Sequence, residues 1–285
     1  MIKLLDILHE SEVSKLSGQP LLKWFLDRIN NTFVFFDTET TGLLTRDPNG
    51  GKDYRGETEQ ITQIGAIATE LNGQTLKFMA YDKFNQKIRL NDITKALMQN
   101  EPDAPASDDP KDVEHWNRKT KKGILNFNHY DLANSDSFEE ERKVLESFDN
   151  FLKRQGGNIT LIAHNAPFDL TMIQFHEIFK ESTYEVIDSI EFFKKFFFPT
   201  LEKMSSENEK YKSEYDKFEF GKDYKTGEFT DKKSNALGNI ASGLDNETNQ
   251  LKKKLQGAHD AIVDCEITME VLGIGLSKIY NQLNH

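Results

Sequence analysis

The sequence contains a single cysteine, Cys265, among its 285 residues. One cysteine cannot form an intramolecular disulfide or a multi-cysteine zinc site, and this usage fits a reducing compartment. The chain also lacks any apolar run that approaches the roughly 18 residues of a membrane-spanning helix. Acidic residues interrupt the apolar N-terminal segment, unlike a signal peptide, so we expect a cytoplasmic protein that does not contact membranes.

Basic residues are also in short supply. The 36 lysines and arginines face 47 aspartates and glutamates, which gives a formal net charge of −11. This balance argues against broad electrostatic binding of duplex nucleic acid, which usually requires a basic surface. Hydrophobic residues make up 37% of the chain and include 21 phenylalanines, so general disorder is excluded. An acidic chain can instead gather carboxylates around metal ions. Composition does not show whether this chain does so, but its sequence motifs bear on the question.

Hydrophobic periodicity predicts an α/β domain at residues 31–285, preceded by a helical extension at residues 1–30. Within 1–30 the spacing is that of two short amphipathic helices, interrupted near Pro20. Three predicted strands come first, and strands then alternate with helices, which predicts a mixed sheet with helices on its faces. The predicted strands are Phe33–Asp37, Ile61–Thr69, Thr75–Tyr81, Ile159–Ala163 and Glu185–Ile187, with a hairpin turn at Asn72-Gly73. The predicted helices are Ser137–Gln155 with Glu140 in a capping box, Pro167–Phe179 and Asp260–Tyr280.

Two acids, Asp37 and Glu39, end the first predicted strand. Side chains alternate along a strand, so both carboxylates point the same way. They repel each other unless a cation lies between them. Mg²⁺ and Mn²⁺ bind through one or two carboxylates together with waters and phosphate oxygens. Taken alone, the pattern is equally typical of a polar turn at the end of a strand.

A second acid-bearing segment, His164 to Asp169, runs from a predicted strand into a helix. Asn165 suits an N-cap and Asp169 complements the helix dipole, so a purely structural role is a good alternative. That alternative does not explain why a further acid follows a second buried strand. In an open α/β sheet this edge is where sites are usually assembled.

The third segment is His259 to Cys265, at the start of the last predicted helix. Asp264 falls in the middle of the apolar face of that helix, where a carboxylate is costly unless it is paired or bound to metal. A satisfied core acid is the alternative. His259 precedes the helix and can reach the same place from a more mobile backbone.

Together, these segments resemble the three motifs of the DEDDh family of 3′–5′ exonucleases, within the ribonuclease H-like superfamily. Residues 37–43 look especially like the proofreading exonuclease subunit of bacterial DNA polymerase III, and residues 63–67 and 237–241 agree in smaller ways. The resemblance covers about residues 31–275. It implies an α/β, ribonuclease H-like mixed five-stranded sheet flanked by helices, here with loop insertions at about 83–130 and 196–234.

The resemblance also implies a metal-dependent 3′–5′ exonuclease with two Mg²⁺ or Mn²⁺ ions. Its substrate would be the 3′ end of single-stranded or frayed DNA, favoured over RNA, and its products nucleoside 5′-monophosphates. His259 would be the general base that accepts a proton from the attacking water. The metal ligands would be Asp37, Glu39, Asp169 and Asp264, and the substrate contacts Thr40, Thr41, Leu43, Asn165 and Phe168.

Three alternatives remain open at this point. One is an exoribonuclease of the ribonuclease T or oligoribonuclease type, because the sequence does not expose contacts to a 2′-hydroxyl group. Another is a proofreading subunit that works with a polymerase or another replication or repair protein. A third is a non-catalytic module docked on a polymerase, although a pure binding module has no use for clustered carboxylates. Interleaved lysines and aromatics at 210–233 suit either single-strand binding or a solvated insertion.

Overall fold

A computed structural model describes residues 19–46, 54–106, 110–174, 184–222, 228–245 and 249–283. Five strands form one mixed sheet in the order β3-β2-β1-β4-β5, in which β1 pairs antiparallel with β2 and parallel with β4. The predicted α/β architecture, a mixed five-stranded sheet flanked by helices, is therefore confirmed. The strands are β1 Thr32–Thr40, β2 Ile61–Leu71, β3 Phe78–Lys87, β4 Ile159–Ala163 and β5 Glu185–Asp188.

Helices surround this sheet and also fill the two insertions. The region 83–130, predicted as a loop insertion, contains three helices, and 196–234 contains two helices and a small hairpin. The first helices are α1 Gln19–Leu26, α2 Asp92–Gln99, α3 Pro110–Lys119, α4 Lys121–Phe127, α5 Glu141–Gln155 and α6 Ala166–Gln174. Those that follow are α7 Ser189–Phe192, α8 Phe198–Glu207, α9 Glu209–Tyr215, α10 Leu237–Leu244, α11 Gln250–Lys254 and α12 Ala261–Leu283, and the hairpin strands are β6 Phe220–Lys222 and β7 Phe229–Lys233.

The central strand β1 separates two hydrophobic clusters. Phe33 and Phe35 face the cluster that includes α12, whereas Val34 and Phe36 face the cluster that includes α5 and α6. Because side chains alternate along a strand, the polar end of β1 presents its side chains to both layers in turn. The polar residues at the C-terminal end of β1 therefore point alternately to the two sides of the sheet, as the apolar residues before them do.

The helical extension at the N-terminus is only partly described. The first of its two predicted helices falls in residues 1–18, outside the described residues. The second, α1, buries Leu22, Trp24 and Phe25 in the cluster beneath α12, and the Phe25 ring lies 6.0 Å from that of Phe33. The apolar face of α1 is thus already used by the main domain.

Two local predictions differ from the structure. The Asn72-Gly73 pair does not make a two-residue turn: the Asn72 amide donates to the Lys77 carbonyl, and Leu76 takes a left-handed φ of 52°. Strand β3 therefore starts three residues later than expected and extends to Lys87. The capping box is also wrong, because residues 132–137 form a 3₁₀ turn and α5 begins after Glu140.

Among the helices that the structure describes, none combines the length and apolar character that a bilayer crossing requires.

Candidate active site

The C-terminal end of β1 carries the first two acids. Glu39 is buried and Asp37 partly exposed, both on the α12 side of the sheet, as the alternation predicts. The pairing of β1 with β2 shifts register between Glu39 and Thr40. A bulge beside a site re-aims the side chains around it, and this irregularity ends the regular ladder directly after the second acid.

The start of α12 reaches the C-terminal end of β1 because the neighbouring strand β2 has a glycine, Gly65, at the point of contact. Gly65 pairs with Asp37 across the ladder, and a Cβ on Gly65 would lie 2.5 Å from the Ala261 carbonyl carbon and the Ile262 nitrogen. The Cys265 thiol donates to the Gly65 carbonyl at 3.3 Å. The missing side chain thus lets the first turn of α12 contact the backbone of β2 directly.

Asp169, in the first turn of α6, approaches from the opposite face. One of its oxygens accepts two hydrogen bonds from Thr38, from the backbone N–H at 2.9 Å and from the hydroxyl at 2.7 Å. Thr38 sits between the two acids of β1 but points to the other layer. Strand alternation therefore supplies both the acids and the residue that fixes the third acid.

Asp264 and His259 complete the group from the α12 side. His259 has a left-handed φ of 68°, and its backbone N–H donates to Asp264 Oδ2 at 3.2 Å. Asp260 lies beside them, where its Oδ1 accepts from the Ile262 amide and from Gln63. The strained backbone at His259 is of the kind that persists where surrounding contacts impose it, often at functional sites.

Burial and mutual repulsion dominate the electrostatics of this cluster. Burial raises the pKa of Asp37, followed by repulsion from Asp169, and burial with repulsion from Asp264 raises the pKa of Glu39. Burial also raises the pKa of Asp169 to about 7, against the hydrogen bonds from Thr38, and that of Asp264 to about 6. Carboxylates in such surroundings are protonated or balanced by cations.

The donor set fits divalent cations. Ligand atoms of Glu39, His259 and Asp264 lie within 4.8 Å of one another. One oxygen of Asp264 is buried without a hydrogen-bond partner, which is costly unless something else satisfies it. Clustered carboxylate oxygens are the ligands that Mg²⁺ and Mn²⁺ prefer.

The general-base candidate, His259, has a lowered pKa. Partial removal of the imidazole from water is the larger cause, and the neighbouring His129 adds to it. Both effects favour the neutral imidazole, the form that accepts a proton. The other motif histidine, His164, is directed elsewhere: its Nδ1 lies 2.8 Å from the Ser189 hydroxyl, and burial lowers its pKa to about 4.

The five residues expected to contact substrate follow Glu39 or precede Asp169 in the chain, and they differ in exposure. Leu43 is 80% exposed and Asn165 is exposed with a left-handed φ of 71°. Phe168 is partly buried against the α5 and α6 cluster. The Thr40 hydroxyl donates to the Gly42 carbonyl, and the Thr41 hydroxyl is buried and accepts from the Gln60 amide. For the two threonines, the described contacts are those of a turn.

Two lysine-bearing stretches, residues 252–254 and the insertion at 210–233, each include a lysine that contacts neighbouring residues. Lys254 of the lysine run at 252–254 forms ion pairs with Glu266 and Glu270 of α12. In the aromatic insertion, Lys233 is buried, donates to the Phe218 carbonyl at 2.7 Å and lies over the ring of Phe220. These contacts are those of a satellite core.

Several residues of the site escaped the sequence reasoning. Thr38 and Asp260 lie inside the motifs, so their polar character next to the acids was the available signal. For Gln63, the available signal was a polar residue within an apolar predicted strand. In the structure Gln63 is buried and pairs with Glu39 across the ladder. Phe127 and Asn128 lie in the insertion at 83–130, about 130 residues before His259, and nothing in their local pattern connects them with the motifs.

Comparison with known proteins yields structures only. No protein-family model matches the chain, and no curated protein matches it in sequence. The chain is similar in structure to S. pombe Pop2p in its Mg²⁺- and Mn²⁺-bound form, with 16% identity over 88% of this chain and 86% of that one, at a TM-score of 0.43.

Two further solved structures are similar to the chain. A full-length 3′-exonuclease is 11% identical over 85% of this chain, at a TM-score of 0.36, and the match spans 59% of its length. The nuclease domain of 3′hExo, described as a DEDDh family member bound to rAMP, is 13% identical over 85% of this chain and 90% of that one, at a TM-score of 0.35. The case for function therefore depends on this chain's own residues.

Proposed function

We propose that the chain is a metal-dependent 3′–5′ exonuclease that removes nucleoside 5′-monophosphates from the 3′ end of single-stranded or frayed DNA. The observation that carries the proposal is the group of four carboxylates, Asp37, Glu39, Asp169 and Asp264, whose pKa values are all raised by burial. None of the four has a lysine or arginine ion partner among the described residues. A purely structural role gives no reason to place four like charges together, two of them buried and two partly buried.

The four acids would hold two Mg²⁺ or Mn²⁺ ions, which supply positive charge for the phosphate and lower the pKa of a water molecule. His259 accepts the proton of the attacking water. The water oxygen forms a bond to phosphorus, the bond between phosphorus and the 3′ oxygen of the preceding nucleotide breaks, and that oxygen takes a proton from solvent. Thr38 keeps Asp169 oriented through its two hydrogen bonds.

The 3′ end of the nucleic acid would lie along the exposed edge of the turn after β1. Leu43 is the most exposed apolar residue there and suits contact with the last base, and Asn165 and Phe168 would line the same cleft. Thr40 and Thr41 shape this turn from below. The preference for the 3′ end and for DNA rests on the motif resemblance, and a polymerase partner is proposed on the same ground.

Digestion of oligonucleotides labelled at the 5′ end tests the proposal directly. With Mg²⁺ or Mn²⁺, single-stranded DNA should shorten from its 3′ end and release 5′-monophosphates, faster than RNA of the same sequence or a blunt duplex. Faster loss of RNA would instead favour the exoribonuclease. No shortening of any substrate, with metal present, would contradict the function.

The Asp37→Asn variant connects the activity with the cluster. It should lower the single-turnover rate by at least about 100-fold, because one metal ligand and its charge are lost. The matched control is Asp149→Asn, since Asp149 is a buried acid on α5, outside the cluster. Equal rates for Asp37→Asn and the wild type would show that the activity does not come from this site.

A further inference from the structure

The backbone at His259 does little to orient its imidazole ring. The residue precedes α12, is exposed, and takes a left-handed φ of 68°. Its backbone N–H donates to Asp264, and this hydrogen bond restrains the chain but leaves χ1 and χ2 of the side chain free. A general base must hold its ring within hydrogen-bond reach of the water that it deprotonates. Something outside α12 must therefore fix the ring.

The Phe127 ring packs against this imidazole. The two ring centroids are 4.1 Å apart and the planes are inclined by 37°. Phe127 is 45% exposed and belongs to neither main hydrophobic cluster. Among the described residues its one aromatic neighbour is His259, so its position is not explained by core packing.

Helix α4, which ends at Phe127, is hydrogen-bonded near both of its ends to the segments that flank the candidate site. At its C-terminal end, the Asn128 side chain donates to the Thr40 carbonyl at 3.2 Å. At its start, Lys121 Nζ donates to the Thr58 carbonyl at 2.8 Å, and Thr120 caps the Gly123 amide. These contacts join α4 to the end of β1 and to the loop before β2. Phe127 is therefore presented from a fixed support rather than from a free loop.

We propose that Phe127 is a positioning residue for His259: its ring, held by α4, keeps the imidazole directed at Glu39 and Asp264. This inference rests on the proposed function in one respect, that His259 is the general base. A 1 Å displacement of a catalytic group costs up to about 100-fold in rate, so a contact that limits such movement is worth having. The insertion at 83–130 thereby takes part in the chemistry without touching substrate.

The competing role for an exposed aromatic ring at this place is stacking on a substrate base. The two roles predict different kinetics. Loss of a positioning contact lowers kcat and leaves KM nearly unchanged, whereas loss of a base-stacking surface raises KM. The roles also differ in their dependence on His259, because only positioning requires that side chain.

The test compares Phe127→Ala and Phe127→Tyr with a control variant, Phe229→Ala, which removes a 68% exposed phenylalanine ring on β7. We expect Phe127→Ala to lower kcat about tenfold with KM within about twofold, and Phe127→Tyr to restore the rate. Phe229→Ala should match the wild type. In a His259→Ala background, Phe127→Ala should cause no further loss. A raised KM at unchanged kcat, or an equal loss in the His259→Ala background, would overturn the proposal.

A spectroscopic measurement tests the contact without turnover. The ring protons of His259, assigned by their absence in His259→Ala, should be shifted upfield by the Phe127 ring current. That shift should disappear in Phe127→Ala and persist in Phe127→Tyr; its persistence in Phe127→Ala would overturn the proposal. A wild-type chain that shows this shift but cleaves no oligonucleotide would contradict the proposed function, so the two failures are distinguishable.

Discussion

Asp169 and Asp264 reach the same edge of β1 from helices on opposite faces of the sheet, but the protein holds them differently. Asp169 accepts two hydrogen bonds from Thr38 and is almost completely buried. Asp264 accepts one from the His259 amide, and its other oxygen has no partner within the described residues. The protein itself orients the first carboxylate, and it leaves the second with capacity for a cation.

The two helices also depend on different features of the sheet. Helix α6 follows β4 directly, so a parallel strand and a short turn place Asp169. Helix α12 comes from the far end of the chain, and its approach depends on the absence of a side chain at Gly65. The α12 side should therefore be the more sensitive to changes in shape, and the α6 side to loss of a single hydrogen bond.

Among the changes that distinguish the two sides, the largest effect is expected from Gly65→Ala, which disrupts the α12 side. The new methyl group would lie 2.5 Å from backbone atoms of residues 261 and 262, and backbone cannot give way as a side chain can. We expect a loss of about 1–3 kcal/mol in the free energy of unfolding, and a rate at least about 100-fold lower because Asp264 and His259 are displaced. Thermal unfolding and single-turnover cleavage measure the two effects.

Gly238→Ala is the matched control. A Cβ at Gly238, in α10, would meet Leu255 at 3.8 Å, an ordinary van der Waals distance. Because alanine is the better helix former, this variant should be as stable as the wild type or slightly more stable, with full activity. If Gly65→Ala behaved like Gly238→Ala, the close approach of α12 to β2 would not be needed to place the site.

The sequence singles out the acids of the candidate site but not the residues that hold them in place. The acids of β1, Asp169 and Asp264 could be proposed as site residues because each follows an apolar strand or lies on an apolar helix face, where a charge stands out. The partners that fix them were missed because hydrogen bonds such as those of Thr38 leave no periodicity. The three helices between β3 and the 3₁₀ turn at 132–137 were missed for a related reason: their sequences are polar, and their order comes from tertiary contacts.

The second prediction concerns charge on the two sides of the site. The pKa values of Asp169, about 7, and Asp264, about 6, lie above the ordinary aspartate value of 3.8. A raised carboxyl pKa costs stability when the group is ionised, above the folded-state pKa, and this cost disappears as the pH falls toward the unfolded-state value. Without metal, the chain should therefore unfold at a higher temperature near pH 5 than near pH 8.

Added Mg²⁺ should reverse that order, because it binds the ionised carboxylates and competes with protons. Stabilisation by Mg²⁺ should be clear at about pH 8 and nearly absent at about pH 5. Asp264→Asn should reduce both the pH dependence and the effect of Mg²⁺, which isolates this site from other titrating groups. An equal effect of Mg²⁺ at both pH values would argue against carboxylate ligands.

The smallest effect is expected from Thr38→Val, which sharpens the contrast on the α6 side. Valine keeps the shape of threonine but removes the hydroxyl bond to Asp169, while the backbone N–H bond at 2.9 Å remains. We expect a loss of about 1 kcal/mol in stability and a rate roughly 3- to 10-fold lower, since Asp169 keeps one of its two bonds. Thr69→Val is the control, because the buried Thr69 hydroxyl donates to the Phe33 carbonyl in the same sheet, away from the acids. A similar stability loss in both variants, with a lower rate in Thr38→Val alone, would separate orientation of Asp169 from general support of the sheet. Equal rates in the two variants would mean that the backbone bond is sufficient to orient Asp169.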